Sequence, residues 1–323
     1  MGIAALRKLL DPQPVELAHF RQRTVAVDAD NLLWSFVTAF GATRSPRSVR
    51  GSPPDAGAKP DPASKGEQPV APDGRPMGHV LGLTGRLKLY AQHGIKSVWV
   101  YDGPQPRLKE ATLAERAERI AENGSIELTT QQLAESKELL TALGIPWMVA
   151  PAESDAQCAH FVRTGFAYAA VTQDYDIALH GAPRAGRNLT GSATRRPELL
   201  DLDVSLRAAR LTREQLVDVA ILIGTDYNVG FPGVGPVKAV KLVQKHGDLA
   251  GALTAIGASL PEADEIRALF LSHPVDAQAK PQWRAPSAAK AGDILEGFGL
   301  SRTRADELCK ALAPAHATSL RDF

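Results

Sequence analysis

Cysteine is nearly missing from this chain. Cys158 and Cys309 are the only two in 323 residues, too few for a disulfide framework, and no Cys/His spacing matches a zinc site. A reducing compartment is therefore expected. An excess of either charge is also lacking: 37 Lys and Arg face 36 Asp and Glu, for a formal net charge of +1. No global basic field exists, so any contact with nucleic acid must come from local patches. Long apolar runs do not occur, so neither a signal peptide nor a membrane span is expected. Met1-Gly2 opens like a myristoylation signal, but that motif needs Ser or Thr at position 6 and the chain has Leu6. No Ser/His/Asp or Cys/His constellation points to a nucleophilic enzyme, and no Asp-rich loop has EF-hand spacing.

What is present is enough for one large α/β domain or two modest ones. Four short apolar runs read as buried strands: TVAVDA (24–29), SVWVYD (97–102), WMVA (147–150) and AYAAVTQD (167–174). Helical patterns lie between or beside them at about 78–93, 108–122, 130–143 and 155–164. Alternation of this kind argues for an α/β fold built on a parallel sheet. Residues 41–76 are rich in Pro, Gly, Ser and Ala without apolar periodicity, and are expected to form a disordered insertion within the domain. Past residue 200 the strand signal fades. Thr212 and Gln215 form a capping box ahead of an apolar helix, a lysine-bearing helix follows, and two or three more reach the C-terminus. The expected organisation is an α/β core over 1–200, with a short helical segment at 105–135, then a helical lobe over 201–312 and a tail over 313–323.

Acids sit where the strands end. Asp28 closes the first run and Asp102 the second; Glu153 and Asp155 follow the third; Asp174 and Asp176 follow the fourth. Ligands of open parallel sheets bind at the carboxyl ends of strands, so these six acids should converge on one edge, with Asp226 of the Gly-Thr-Asp-Tyr turn as a seventh. Any one such Asp is explained by a turn or a cap. The full set would repel itself unless a hard cation neutralised it, and Mg²⁺ takes oxygen ligands and bridges to phosphates. Two such ions would clamp both oxygens of a phosphodiester displacement.

Cations are placed elsewhere. In GVGP (233–236), Gly233 and Gly235 allow a tight turn whose N–H groups can approach a phosphate, and Pro236 opens a helix. Lys238, Lys241 and Lys245 then share one helical face, while Val237, Val240 and Val243 are expected to pack inward. This face reads as a sequence-blind grip on duplex backbone, against the alternative of a solvated amphipathic helix. Lys109 and Arg116, seven apart, share a face that could look toward the acids, although interleaved glutamates fit a solvated helix equally. Trp34 reads as either core or a stacking platform for a base.

The ordered set MGIAALRKLL, VAVDADNLLW, VWVYDGPQPRLK, IPWMVAPAESDAQCAHF, AAVTQDYDIALHG and ILIGTDYNVGFPGVGPVKAVKLVQKH resembles the structure-specific 5′-nuclease (XPG-type) superfamily, and within it the flap endonucleases of archaeal and eukaryotic type. The resemblance spans nearly the whole chain. It implies a PIN-like parallel-sheet nuclease core, a helical arch, and a helical lobe containing a helix-hairpin or helix-turn-helix element. The implied activity is Mg²⁺-dependent hydrolysis of branched DNA carrying a 5′ flap, near the single-strand/duplex junction, in replication and repair. Relatives acting as 5′–3′ exonucleases or on gaps or four-way junctions are the alternative, and a non-catalytic DNA-binding relative a further one. By family pattern Asp28, Asp102, Glu153 and Asp155 would hold one Mg²⁺, and Asp174 and Asp176 the other. Asp155 would lie between the two ions, Asp226 would help through water, and Mn²⁺ would be an alternative ion.

Further roles are implied in the same way. Lys109 and Arg116 match basic gateway residues that act on the scissile phosphate. Gly2, Trp34 and Arg86 match substrate-contacting positions, and a K⁺ ion is expected at the helix-hairpin element. The tail ATSLRDF, with Leu320 and Phe323, resembles a sliding-clamp-binding peptide but lacks its leading Gln and second aromatic. A monomer without membrane attachment is expected, cytoplasmic and nucleoid-associated in a prokaryote of archaeal type. The chain departs from the family in carrying Asp155 where Glu is usual, and in a shortened arch.

Overall fold

The structure, a computed structural model, describes residues 4–41, 69–109, 127–192 and 195–317. Strands β1 (Gln13–Pro14), β2 (Thr24–Asp28), β3 (Lys96–Tyr101), β4 (Trp147–Val149), β5 (Ala169–Val171), β6 (Arg184–Arg187) and β7 (Glu198–Asp201) form a seven-stranded sheet in the order β1-β7-β6-β5-β2-β3-β4. From β4 to β6 neighbouring strands are parallel, while β7 and β1 join antiparallel at the far edge. β2 is central: Val27 lies opposite Trp99 on one side and Val171 on the other.

Side chains alternate across this sheet as the pleat requires. Val25, Val27, Trp99 and Tyr101 face one apolar layer, and Ala26, Val98 and Val100 face the other. Both layers are covered, so Val25–Val27 of β2 and Val98–Tyr101 of β3 are apolar on successive residues and not on every second one. Each fully buried Val or aromatic side chain is stabilising by roughly 1.5–3 kcal/mol, which makes these short strands the rigid base of the molecule.

The layer against Val25 and Val27 is built by α2 (Ala29–Gly41), α3 (Gly78–Gln92), α4 (Thr130–Ala142), α11 (Ala288–Gly297) and α12 (Arg302–Ala317). The opposite layer is built by α5 (Ser154–Arg163), α6 (Leu202–Ala209), α7 (Arg213–Ile223), α8 (Pro236–His246), α9 (Leu249–Ala255) and α10 (Ala263–Leu271), together with the short α1 (Arg7–Leu10). A two-stranded hairpin, β8 (Gly224–Thr225) and β9 (Asn228–Val229), joins α7 to α8. Capping boxes open two of these helices, Thr129 with Gln132 and Thr212 with Gln215, each N-cap contributing about 1 kcal/mol.

Several expectations change. β1, β6 and β7 lack continuous apolar runs, and β6 (RAGR) is admitted by pairing on both sides. WMVA forms an edge strand, not a buried one, leaving Trp147 36% and Val149 45% exposed. Residues 107–109 are a 3₁₀ turn, where a helix from 108 is expected, and 110–126 lie outside the described residues. The insertion reading of 41–76 fails at both ends. Gly41 ends α2, and 69–76 form a turn in which Val70 pairs with Pro76 and Ala71 is buried; residues 42–68 lie outside the described part. Arg75 of this turn reaches the Glu135 carboxylate at 2.7 Å and lies 4.0 Å over the Phe298 ring, tying it to α4 and α11. Among the described residues four helices, not two or three, follow the lysine helix, and the last two pack across the sheet from the rest of the expected C-terminal lobe.

The lobe carrying α8 depends on one buried ion pair. Asp218 of α7 has no exposed surface; it accepts from the Arg267 Nε of α10 at 2.6 Å and from the Leu249 N–H at 3.1 Å. Burial raises its pKa despite that partner, so the pair adds little over an apolar substitute, but leaving the carboxylate alone costs about 3 kcal/mol. Arg267→Ala should therefore lower the melting temperature by several degrees in a circular-dichroism melt; an unchanged midpoint would show that the pair does not hold the lobe.

Candidate active site and nucleic-acid interface

The parallel strands deliver their acids to one edge. Asp28 is the last residue of β2, and Asp102 directly follows β3. Glu153 is the N-cap of α5, and Asp155 lies in its first turn. Asp174 follows β5 by three residues, and Asp176 opens a 3₁₀ turn, Asp176–Ala178. Asp226 occupies the tight turn between β8 and β9. All except Asp226 stand at carboxyl ends of parallel strands, where the sheet's ligand crevice lies.

Ordinary polar residues hold these acids in place. Asp28 accepts from Ser154 Oγ at 3.0 Å, from Thr172 Oγ1 at 2.9 Å and from the Asn31 N–H at 3.3 Å. Asp174 accepts from Asn31 Nδ2 at 2.7 Å, and its own N–H donates to Thr172 Oγ1 at 3.2 Å. The Ser154 N–H donates to Asp102 at 2.8 Å, and the Asp102 N–H donates to Asp30 at 3.0 Å. Glu153 accepts from Lys109 Nζ at 2.6 Å and from the Tyr227 hydroxyl, and Lys109 also lies 3.8 Å from Asp226. The Glu153 N–H donates to His273 Nε2 at 3.2 Å, while His273 Nδ1 faces the Leu269 carbonyl at 2.7 Å. That pair of contacts assigns His273 as the neutral Nδ1–H tautomer.

The electrostatics follow from this crowding. Burial, then Asp102, Asp174 and Asp30, raise the Asp28 carboxyl well above its ordinary range. Burial, then Asp28, Asp174, Asp176 and Glu153, do the same to Asp155. Asp30 is pushed up to about 6 by burial and Asp102. Glu153 moves the other way: burial works to raise it, but the Lys109 ammonium and the hydrogen bonds from Lys109 and Tyr227 hold it below the usual range. Burial holds His180 down at about 3, so it stands beside Glu153 as a neutral ring.

The donor set suits a hard divalent cation, because every candidate ligand is a carboxylate. Asp155 Oδ1 is buried and makes no hydrogen bond among the described residues, the state expected of an oxygen whose partner is an ion. Among the described residues no three of these groups are gathered, as they stand, into a set that would chelate one ion. Glu153 is drawn to Lys109 and Tyr227, Asp28 to Ser154 and Thr172, and like charges oppose closer approach.

The basic surface lies beyond the hairpin. Gly233 has φ of 72°, a conformation that suits glycine. Gly235 is an N-cap with no side chain, and Pro236 is the first helical residue of α8. Lys238, Lys241 and Lys245 are exposed, while Ala239 and Val243 are buried against α7 and α9. Val237, expected inside, is 71% exposed: the helix phase gives the buried i, i+4 positions to Ala239 and Val243. Trp34 on α2 is 43% exposed, a surface position and not the core. Arg86 is instead buried, its guanidinium 5.3 Å from the Phe36 ring centroid and 5.7 Å from that of Tyr90, with NH1 unbonded among the described residues. Gly2, Arg116, Leu320 and Phe323 lie outside the described residues.

Sequence reasoning missed Asp30, Asn31, Ser154, Thr172, Tyr227, His180 and His273. Ser154 lies between two candidate acids and Asn31 three residues past Asp28, and that proximity was the available signal. The two histidines gave none.

Comparison with known proteins extends this picture. A family model described as XPG I-region matches residues 144–226, the stretch running from β4 to the Asp226 turn. Flap endonuclease 1 of Hyperthermus butylicus is 34% identical over 361 aligned positions, covering 99% of this chain and 97% of the relative. Among solved structures, flap endonuclease-1 from Methanococcus jannaschii superposes with a TM-score of 0.77 at 26% identity, covering 97% of this chain and 98% of that one. The catalytic core of Rad2 in complex with DNA substrate shares the fold, with a TM-score of 0.75 at 22% identity over 97% of this chain and 100% of that one. With a third of all positions identical from end to end, this chain belongs to the flap endonuclease family.

Proposed function

We propose that this flap endonuclease cleaves 5′-flapped DNA with two Mg²⁺ ions, Mn²⁺ serving as an alternative. Asp28, Asp102, Glu153 and Asp155 hold one ion and Asp174 and Asp176 the other, with Asp226 assisting. The observation that carries this reading is the convergence of these carboxylates on one sheet edge, with a buried Asp155 oxygen that makes no hydrogen bond among the described residues. When bound, the ions supply an activated water and neutralise charge at the phosphodiester.

The rest is work for the protein's own side chains. Ser154, Thr172 and Asn31 fix Asp28 and Asp174 by hydrogen bonds, which keeps the ligands from swinging apart under their own repulsion. Tyr227 and His273 set the direction of Glu153 from its two ends. Lys109 and Arg116 act on the scissile phosphate. Lys238, Lys241 and Lys245 hold duplex phosphates without reading sequence, together with the backbone at Gly233 and Gly235, and a K⁺ ion completes that element. Trp34, exposed one helical turn beyond Asp30, stacks on the unpaired base. Gly2 contacts substrate as well. The protein acts as a monomer, near the nucleoid, and the Leu320–Phe323 tail docks a sliding clamp.

The two halves are joined rigidly. A Cβ placed on Gly230 would lie 1.8 Å from the Ile223 carbonyl oxygen, and the Phe231 N–H donates to the Leu222 carbonyl at 3.1 Å. The bend from Asp226 to Gly235 therefore fixes the distance from the held duplex to the acids, and with it the bond that is cut.

Asp174→Ala should lower the rate of 5′-flap cleavage in Mg²⁺ by a factor on the order of 10³ while flap binding in gel shift stays within a few fold; retained cleavage would remove Asp174 from the metal site. On the wild type, a panel of 5′ flap, nicked, blunt and four-way-junction substrates should give fastest cleavage of the flap, and preference for the junction would overturn the flap assignment. Replacing Lys238 and Lys241 together with Ala should weaken duplex binding and flatten the slope of log affinity against log salt by about 2; an unaltered slope would make α8 a solvated face.

A further inference from the structure

Lys109 sits at the acid edge in a posture that a substrate-facing role alone does not require. It is the last residue of the 3₁₀ turn Arg107–Lys109, and its N–H is held by the Pro106 carbonyl at 2.9 Å. Its side chain is only 16% exposed and points into the carboxylates. Nζ lies 2.6 Å from Glu153 Oε1 and 3.8 Å from Asp226 Oδ2. The other Glu153 oxygen is occupied by the Tyr227 hydroxyl. Both oxygens of this carboxylate are therefore engaged, whereas Asp155 Oδ1, two residues on, is buried with no hydrogen-bond partner among the described residues.

A carboxylate oxygen can keep a neutral donor and still bind an ion, but a cation on Glu153 would sit beside the Lys109 ammonium, 2.6 Å from Oε1, and repel it. Tyr227 is 8% exposed and packs against Phe270, with ring centroids 5.3 Å apart, so it is the fixed donor. Lys109 carries a point charge on a flexible four-carbon stem and is the donor that can leave.

We propose that Lys109 and a divalent cation exchange for Glu153 and Asp226, so that cation binding hands the Lys109 ammonium over from the carboxylates to the phosphate of the substrate. This inference rests on the metal-centre reading above. In the free protein Lys109 neutralises part of the acid cluster and holds Glu153 back from chelation. Once a cation takes over that neutralisation, the ammonium is repelled by the ion and drawn to the nearest anion, a DNA phosphate. Linkage then makes the two ligands cooperative: whatever factor the cation adds to DNA affinity through Lys109, DNA adds to cation affinity.

The test is Mn²⁺ binding to the full chain without DNA, read as free Mn²⁺ by electron paramagnetic resonance. Lys109→Met keeps the stem and removes the competitor, so its Mn²⁺ affinity should rise tenfold or more. Arg107→Ala removes one charge two residues away, on a side chain that is 76% exposed and 3.8 Å from Glu265, and should change affinity less than twofold; equal gains in both variants would reduce the effect to bulk electrostatics and overturn the exchange. Lys109→Arg, which retains a cation, should stay within threefold of wild type. Asp155→Asn separates the two ideas. If it weakens Mn²⁺ binding while Lys109→Met leaves it unchanged, the metal reading stands and the exchange fails; if Asp155→Asn has no effect, the metal reading fails and the exchange with it. As a second readout, replacing EDTA with Ca²⁺ should raise wild-type affinity for flap DNA several-fold more than that of Lys109→Met, and equal gains would contradict the handover.

Discussion

Mutual repulsion among buried carboxylates is the constraint on which the rest of this structure depends. Asp28 and Asp155 are each driven by burial and by their neighbours toward the protonated form, which no isolated fold would select. Four strand ends of a parallel sheet bring the charges together, and the strands are held too rigidly by their two apolar layers to let them part. What relieves the repulsion locally is a shell of neutral donors, Ser154, Thr172, Asn31 and Tyr227, and the Lys109 ammonium on Glu153. Hydrogen bonds to a carboxylate favour its charged form but do not cancel its charge. A hard divalent cation does, and phosphodiester hydrolysis is the chemistry such a cation supports at that edge.

The second consequence is spatial. Duplex recognition by exposed lysines, as proposed, would carry no sequence information, so the position of the cut would have to come from geometry. The path from Asp226 through the β8–β9 hairpin to Gly235 is short and pinned at Gly230 and Phe231. α8 is in turn supported by α7 and α9, and α7 by the buried Asp218–Arg267 pair. The acid edge and the lysine row are thus two parts of one framework.

Much of this was legible in the sequence. Apolar runs ending in acids named Asp28, Asp102, Glu153, Asp155, Asp174 and Asp176, because a strand end is marked by both a composition change and a charge. The helices at 78–92, 130–142 and 154–163 followed from periodicity. What stayed hidden had no such mark. β6 and β7 are strands because of their partners, not their composition. Val237 and Val243 are the same residue type six apart, and only the phase of the packed helix separates exposed from buried. Arg86 reads as a surface cation, yet it is enclosed by Phe36 and Tyr90. Ser154, Thr172 and Asn31 are common polar residues whose role exists only once distant segments meet. The contact of Lys109 with Glu153 spans 44 positions and leaves no periodic trace.

If the acid edge is strained by its own charge and relieved by a divalent cation, the melting temperature in EDTA and across a Mg²⁺ titration, for wild type and for Asp155→Asn, shows it. Mg²⁺ should then stabilise the wild type, by about 2.7 kcal/mol at a hundredfold excess over its dissociation constant. Asp155→Asn should melt in EDTA no lower than wild type, with most of the Mg²⁺ increment gone. A wild-type midpoint indifferent to Mg²⁺, together with a lower midpoint for Asp155→Asn in EDTA, would contradict it.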